Sequence, residues 1–253
     1  MSPQRPWVDI ADDLRARIRR GDPAPGERLP SSGELMTRYG VARQTLQNAV
    51  DQLRAEGLIT SARGRGWFVT RTGPITRLAR TRLGREARRQ DRGAFLGDAV
   101  QAGFVPQVSV EVRRERAPSD IAEHLGLPAK ADGDGPDVVV RRRVMRADGV
   151  AVQLATSFLP LDLAEGTPIE REDSGPGGIY ARLEELDHAP VHFTEIVSAR
   201  APRPQEAQAL DLPYGFPVVQ VVRLAHTADR VVEVNVIVMA SHRFELVYEI
   251  PAG

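Results

Sequence analysis

The side chains best suited to chemistry near the N-terminus are Arg43, Gln44, Thr45 and Gln47, followed by the triplet Arg63-Gly64-Arg65. Arginine can donate two hydrogen bonds to a guanine edge, and glutamine can pair with an adenine edge. A threonine such as Thr45 can meet a phosphate or a thymine methyl. Glycines beside the arginines at 63 and 65 let the backbone come close to a phosphate or enter a minor groove. This is chemistry of recognition. No nucleophile with a matched base stands out.

The elements that position these groups can be read from residues 27–69. Ser31 and Glu34 have the spacing of a capping box, which starts a helix at Ser31 or Ser32, and Gly40 offers the left-handed conformation that ends it. Leu35, Met36 and Tyr39 form the apolar side. After a turn over 40–42, Leu46, Ala49, Val50 and Leu53 recur with helical period, and Gly57 stops the second helix. Arg43, Gln44 and Gln47 fall outside that stripe, at the N-terminal end where a helix-turn-helix meets base edges. Leu58-Ile59-Thr60 and Trp67-Phe68-Val69 read as two strands around a glycine-rich turn, a wing with arginines at its tip.

The motifs L-P-S-S-x-E-L, R-x-T-L, A-E-G-L-I and G-R-G-x-F-V resemble the N-terminal domain of GntR-type transcription regulators. A first helix over 7–18, with Ile10, Leu14 and Ile18 on one face, fits the same pattern. The resemblance implies DNA contacts from Arg43, Thr45, Arg63 and Gly64, and Ser31, Ser32 and Arg65 are expected to join them. Two departures matter. Gly33 and Gln47 stand where many members carry arginine, so the base preference at Gln47 should differ and the salt dependence should be shallower.

Charge divides the chain. Residues 1–92 hold 19 Arg against 10 Asp plus Glu, whereas residues 93–253 hold 15 Lys plus Arg against 24 Asp plus Glu. A net charge of zero therefore hides a basic head and an acidic body, as expected if only the head meets a polyanion. The expected organisation is a winged helix-turn-helix at 1–72, an Arg-rich linker at 73–92 and a body at 93–253. The linker arginines are either a solvated face or auxiliary contacts to the DNA backbone. There is no cysteine, which removes disulfides and thiolate metal sites. No membrane-length apolar run and no signal-peptide core are visible, so a cytoplasmic location is expected.

The body alternates helix-like and strand-like segments: a helix at 93–103, a strand through Val108, Val110 and Val112, and a capped helix at 119–125. An exposed loop at 131–136 precedes a hairpin turning at Asp148-Gly149 between 138–146 and 151–159. A helix at 178–187, a strand at 191–199, a helix at 204–210 and strands at 218–226, 231–239 and 245–250 follow. The fold class is α+β on an antiparallel sheet. This order, with R-x-M-R-A-D-G, T-S-F-L-P, I-Y-A-R-L-E and V-E-V-N-x-x-V-M-A, resembles the UTRA effector domain of the HutC subfamily, whose fold is similar to chorismate lyase.

That resemblance implies a homodimer on palindromic half-sites and a small-molecule effector that releases a repressor from its operator. In relatives that bind sugar phosphates, two arginines and two serines hold the anion. The matching positions here are Arg143, Met145, Ala94 and Gly178, and an acidic residue is replaced by Ala155. The expected effector is therefore not a phosphosugar but larger or more apolar, anchored by Arg143 and Glu233 with Met145, Thr156, Ser157 and Tyr180 nearby. The alternative for Arg143 and Glu233 is a structural ion pair. Rival functions are a constitutive dimeric DNA binder without effector, or a chorismate-lyase-like enzyme. The five histidines lack metal-ligand spacing, because Pro190 interrupts His188 and His192, so neither a metal nor a cofactor is expected.

Overall fold

The computed structural model describes residues 6–62, 66–70, 74–78, 94–128, 135–212 and 216–249. They divide into two compact units, Met1–Pro74 and Ile75–Gly253.

The N-terminal unit contains α1 (Pro6–Arg19), α2 (Ser32–Tyr39), α3 (Arg43–Ala55), β1 (Ile59–Ala62) and β2 (Gly66–Val69). The capping box at Ser31 forms as its spacing predicts: the Ser31 hydroxyl accepts from the Glu34 amide at 3.3 Å, and the Glu34 carboxylate accepts from the Ser31 amide at 2.7 Å. Gly40, at φ 63°, closes α2. Leu46, Ala49, Val50 and Leu53 of α3 are buried with Ile10, Leu14, Leu35, Ile59 and Val69 in one core. Two polar ties fix the helices around it. Arg15 forks onto Glu56 at 2.6 and 2.5 Å, and Tyr39 donates to Asp13 at 2.6 Å. β1 and β2 pair antiparallel from Ile59–Val69 to Ala62–Gly66. Residues 26–29 flank β2 as a third extended segment, with Leu29 donating to Trp67 and Val69 donating to Glu27.

The C-terminal unit is a six-stranded antiparallel sheet in the order β4 (Pro106–Glu115), β5 (Val138–Ala147), β6 (Val150–Pro160), β9 (Val231–Ala240), β8 (Val218–His226) and β7 (His192–Arg200). The hairpin between β5 and β6 turns at Asp148 and Gly149, whose φ values of 50° and 79° are those of a type I′ turn. One face of the sheet carries two apolar clusters. At one end Phe95 and Ala99 of α4 (Ala94–Gln101) pack with Phe104, Met145, Ala155 and Ile237. At the other, Leu163 of α6 (Leu161–Ala164) and Leu183 of α7 (Gly178–Glu185) pack on Val139, Leu159 and Ala225. On the opposite face Ile121 and Leu125 of α5 (Ser119–Leu125) meet Val140, Phe158 and Val234. α8 (Pro204–Ala209) leads to Leu210, which packs on Val218 and Val238.

Two details differ from the sequence expectations. α5 starts at Ser119 with Pro118 in the N-cap position and no side-chain cap, because proline has no polar side chain to offer, and only its C-terminal Gly126 is a true cap. The segment read as linker contributes β3 (Ile75–Leu78) to the C-terminal unit. It pairs in parallel with β10 (Phe244–Val247), so β10 lies outside the main sheet. The residues at 131–134 of the expected loop lie outside the described residues.

Candidate DNA-reading and effector sites

In the N-terminal unit, α3 begins at Arg43, so Arg43, Gln44 and Thr45 form its first turn. Arg43 and Gln44 are exposed, whereas Thr45 and Gln47 are half-buried. The two glutamines are not equivalent to the arginine. Gln44 donates to Asn48 at 3.0 Å and Gln47 to Asp51 at 2.9 Å, each one helical turn along, while Arg43 makes no hydrogen bond or ion pair with the described residues. An uncommitted guanidinium on an exposed first turn is ready to fork onto a base edge. Ser31 and Ser32 sit at the start of α2, half-buried. Arg63, Gly64 and Arg65 lie outside the described residues.

Arg28 lies outside the sequence motifs of the head. It bridges to Phe68 at the base of the wing, and its guanidinium lies 3.0 Å from where a Cβ on Gly66 would stand. Gly66 is at φ 98°, a conformation that side chains disfavour, so both the backbone and the close approach of Arg28 call for glycine. The signal in sequence was an Arg directly before L-P-S-S.

In the C-terminal unit the strand registers bring five polar residues side by side. Arg141, Ser157, Asn235, Arg223 and Glu195 lie opposite one another on β5, β6, β9, β8 and β7. Directly opposed residues of antiparallel strands share a face, so this polar row crosses the sheet between its two apolar clusters. Arg143 and Glu233 lie two residues away on the same face. Arg143 donates to the Ser157 hydroxyl at 2.5 Å, and Tyr180 of α7 donates to Glu233. Arg143 and Glu233 are not paired with each other. Instead Arg143 Nε, Glu233 Oε1, Asn235 Oδ1 and Arg223 Nη2 are buried without a hydrogen-bond partner.

Burial of so many charged groups perturbs them. Burial lowers the Arg143 guanidinium from its ordinary value despite the nearby Glu233. Arg141 is pushed down to about 10 by burial and then by repulsion from Arg143. It spends its donors on the carbonyls of Ile169, Arg171 and Glu172. Burial and the Glu233 carboxylate together push the Tyr180 phenol up.

The structure thus brings Arg143, Ser157, Tyr180 and Glu233 together. Met145 is on the same face but turns to the apolar cluster with Phe95 and Phe104. Thr156 is a correction to the expected set: it opposes Arg142 and Val236, so its side chain lies on the other face of the sheet from Arg143. Of the two positions matched to the serines of relatives, Ala94 opens α4 and Gly178 opens α7 at φ 66°. Arg141, Asn235, Arg223 and Glu195 were missed. Isolated polar residues in apolar strands such as V-V-R-L-A and V-E-V-N-V were the available signal.

A winged helix-turn-helix followed by a sheet domain with a buried polar site defines a two-domain DNA-binding regulator. Residues 7–69 match the model of bacterial regulatory proteins of the gntR family, and residues 101–245 match the UTRA domain. The chain belongs to the GntR family of bacterial regulators that carry a UTRA domain. It is 34% identical to an HTH-type transcriptional regulator of Streptomyces coelicolor, over 98% of this chain and 94% of the relative. The HTH-type transcriptional repressor NagR of Bacillus subtilis is 24% identical, over 89% of this chain and 86% of its own length. The crystal structure of PhnF from Mycobacterium smegmatis shares the fold, with a TM-score of 0.59 at 21% identity, covering 96% of this chain and 100% of that one. The chain is a transcription regulator and not an enzyme. Among the described residues, no helix is long and apolar enough to cross a membrane.

Proposed function

We propose that the protein is a ligand-responsive repressor of the HutC subfamily, acting in the cytoplasm as a homodimer on an operator with palindromic half-sites. The observation that carries this reading is the uncommitted Arg43 on the exposed first turn of α3. Arg43, Gln44, Thr45 and Gln47 read the major groove. Ser31 and Ser32 approach the backbone, and Arg63, Gly64 and Arg65 extend the wing to it. The head ends at Pro74, β3 belongs to the body, and the body dimerises, because two linked heads bind far better than one. The repressor role is supported by the similarity to NagR, a transcriptional repressor of Bacillus subtilis.

The effector occupies the sheet face at Arg143, Ser157, Tyr180 and Glu233, where four polar atoms have unused bonding capacity. Met145, in place of a second anion ligand, turns that face apolar on one side, which favours a larger or more apolar ligand over a phosphosugar. An inducer must bind the DNA-free arrangement more tightly, by linkage.

A mobility-shift titration with the DNA upstream of its own gene tests the operator reading. A shifted complex that needs two half-sites is expected, and binding to unrelated duplexes with equal affinity would sink it. Calorimetry with phosphosugars should give no binding heat; micromolar affinity would overturn the effector class.

A further inference from the structure

The C-terminal unit contains a line of buried charges that runs past the effector site. Arg77 on β3 is only 1% exposed. It donates through Nη2 to Glu195 on β7, and its Nη1 lies 3.9 Å from the Met239 sulfur. The same Glu195 oxygen accepts from Arg223 Nε at 2.8 Å. Arg223 in turn lies against Tyr180 and Glu233. Burial alone would lower its guanidinium, but Tyr180, Glu195 and Glu233 outweigh burial and hold it above its ordinary value. Arg77 is lowered by burial and then by repulsion from Arg223. One carboxylate oxygen therefore serves two guanidiniums that repel each other across it.

β3 packs Ile75 into the apolar cluster with Phe95 and Ala99 and has one strand partner among the described residues. Its residues pair with β10 alone among the described strands, from Ile75–Phe244 to Leu78–Val247. A two-stranded ribbon is marginal by itself, so the packing of Ile75 and the buried Arg77–Glu195 pair weigh heavily. β3 also begins at the residue after Pro74, where the N-terminal unit ends.

We propose that Glu195 transmits occupancy of the polar cluster to β3, and that Arg77 is the positioning residue that receives it. The proposal takes its trigger from the effector reading above. A ligand acceptor that engages the open Nη2 of Arg223 draws that guanidinium toward the cluster. Glu195 then turns more fully to Arg77, and β3 is held more firmly at the root of the segment joining it to the head. Loss of negative charge from the cluster does the reverse: Arg223 leans on Glu195, and Arg77 loses its share. A contact that strengthens in only one state is what a coupling free energy between two sites requires.

Hydrogen exchange on the full chain tests this without any effector, so its failure is separable from that of the effector reading. Glu233→Gln removes the negative charge facing Arg223. The amides of β3 should then exchange about tenfold faster, while those of β8 and β9 away from the substitution hold their rates. In an Arg77→Met background, β3 should already exchange fast, and adding Glu233→Gln should change it by less than about twofold. If Arg77→Met does not fold, Arg77→Lys takes its place. It keeps the charge but loses the forked geometry, and must shrink the response to Glu233→Gln. Three results would overturn the proposal: β3 amides unmoved by Glu233→Gln, acceleration spread evenly through β8 and β9, or an undiminished response when Arg77 is replaced.

Discussion

The first turn of α3 and the polar row of the C-terminal sheet use the same residue types in opposite ways. On α3 Arg43 and Gln44 face water, so presenting them costs almost nothing, and Arg43 makes no polar contact with the described residues. In the sheet, Arg141, Arg223 and Asn235 are each 4% exposed and Glu233 is 1% exposed. A charge withdrawn from water must find partners inside the fold or cost several kcal/mol, of order 3–5 when one member of a buried pair is removed. On the proposed reading the head keeps recognition and stability in separate residues, whereas in the body the same side chains serve both. Mutations should separate cleanly in the first region and not in the second.

The largest effect expected from this contrast is at Glu195. Glu195→Ala leaves Arg77 and Arg223 facing each other without their shared carboxylate. Thermal or denaturant unfolding of the full chain should show the C-terminal unit destabilised by about 3–5 kcal/mol. A loss below about 1 kcal/mol would mean that the row is solvated, and the contrast would fail. Arg43→Ala comes next and should do the opposite: operator affinity falls by about 1–3 kcal/mol in a mobility-shift titration, with an unfolding midpoint within error of the parent. A parallel loss of stability would place Arg43 in the fold rather than at the base edge.

How much of this was legible in the sequence follows from the same division. The α3 stripe of Leu46, Ala49, Val50 and Leu53, the Ser31–Glu34 box and the turn at Asp148-Gly149 are local patterns, and each folds as its spacing predicts. Exposed polar residues are then found simply as what the stripe leaves over. The polar row of the body is not local. Arg141, Ser157, Asn235, Arg223 and Glu195 become neighbours only through four strand registers, and a register error of one residue moves a side chain to the other face. That is how Thr156, adjacent in sequence to Ser157, was grouped with the wrong face. β3 escaped for a related reason: its partner β10 is far along the chain, and four residues after a Gly-Pro break carry too weak a pattern to announce a strand.

The smallest effect is expected at Thr156, and its contrast with Ser157 is the sharpest test of the two faces. Ser157 accepts from Arg143 and is fully buried, so Ser157→Ala leaves a guanidinium N–H without its acceptor and should cost about 1–3 kcal/mol in unfolding of the C-terminal unit. Thr156, its neighbour, is half-buried beside Val236 on the opposite face, and valine there preserves the branched shape suited to a strand. Thr156→Val should therefore stay within about 0.5 kcal/mol of the parent. The same pair should divide on β3: exchange of its amides should respond to Ser157→Ala, which disturbs the polar row, and remain unchanged in Thr156→Val. Equal losses at the two positions would mean that the register between β5 and β6 does not segregate their side chains, and the polar row would have to be redrawn.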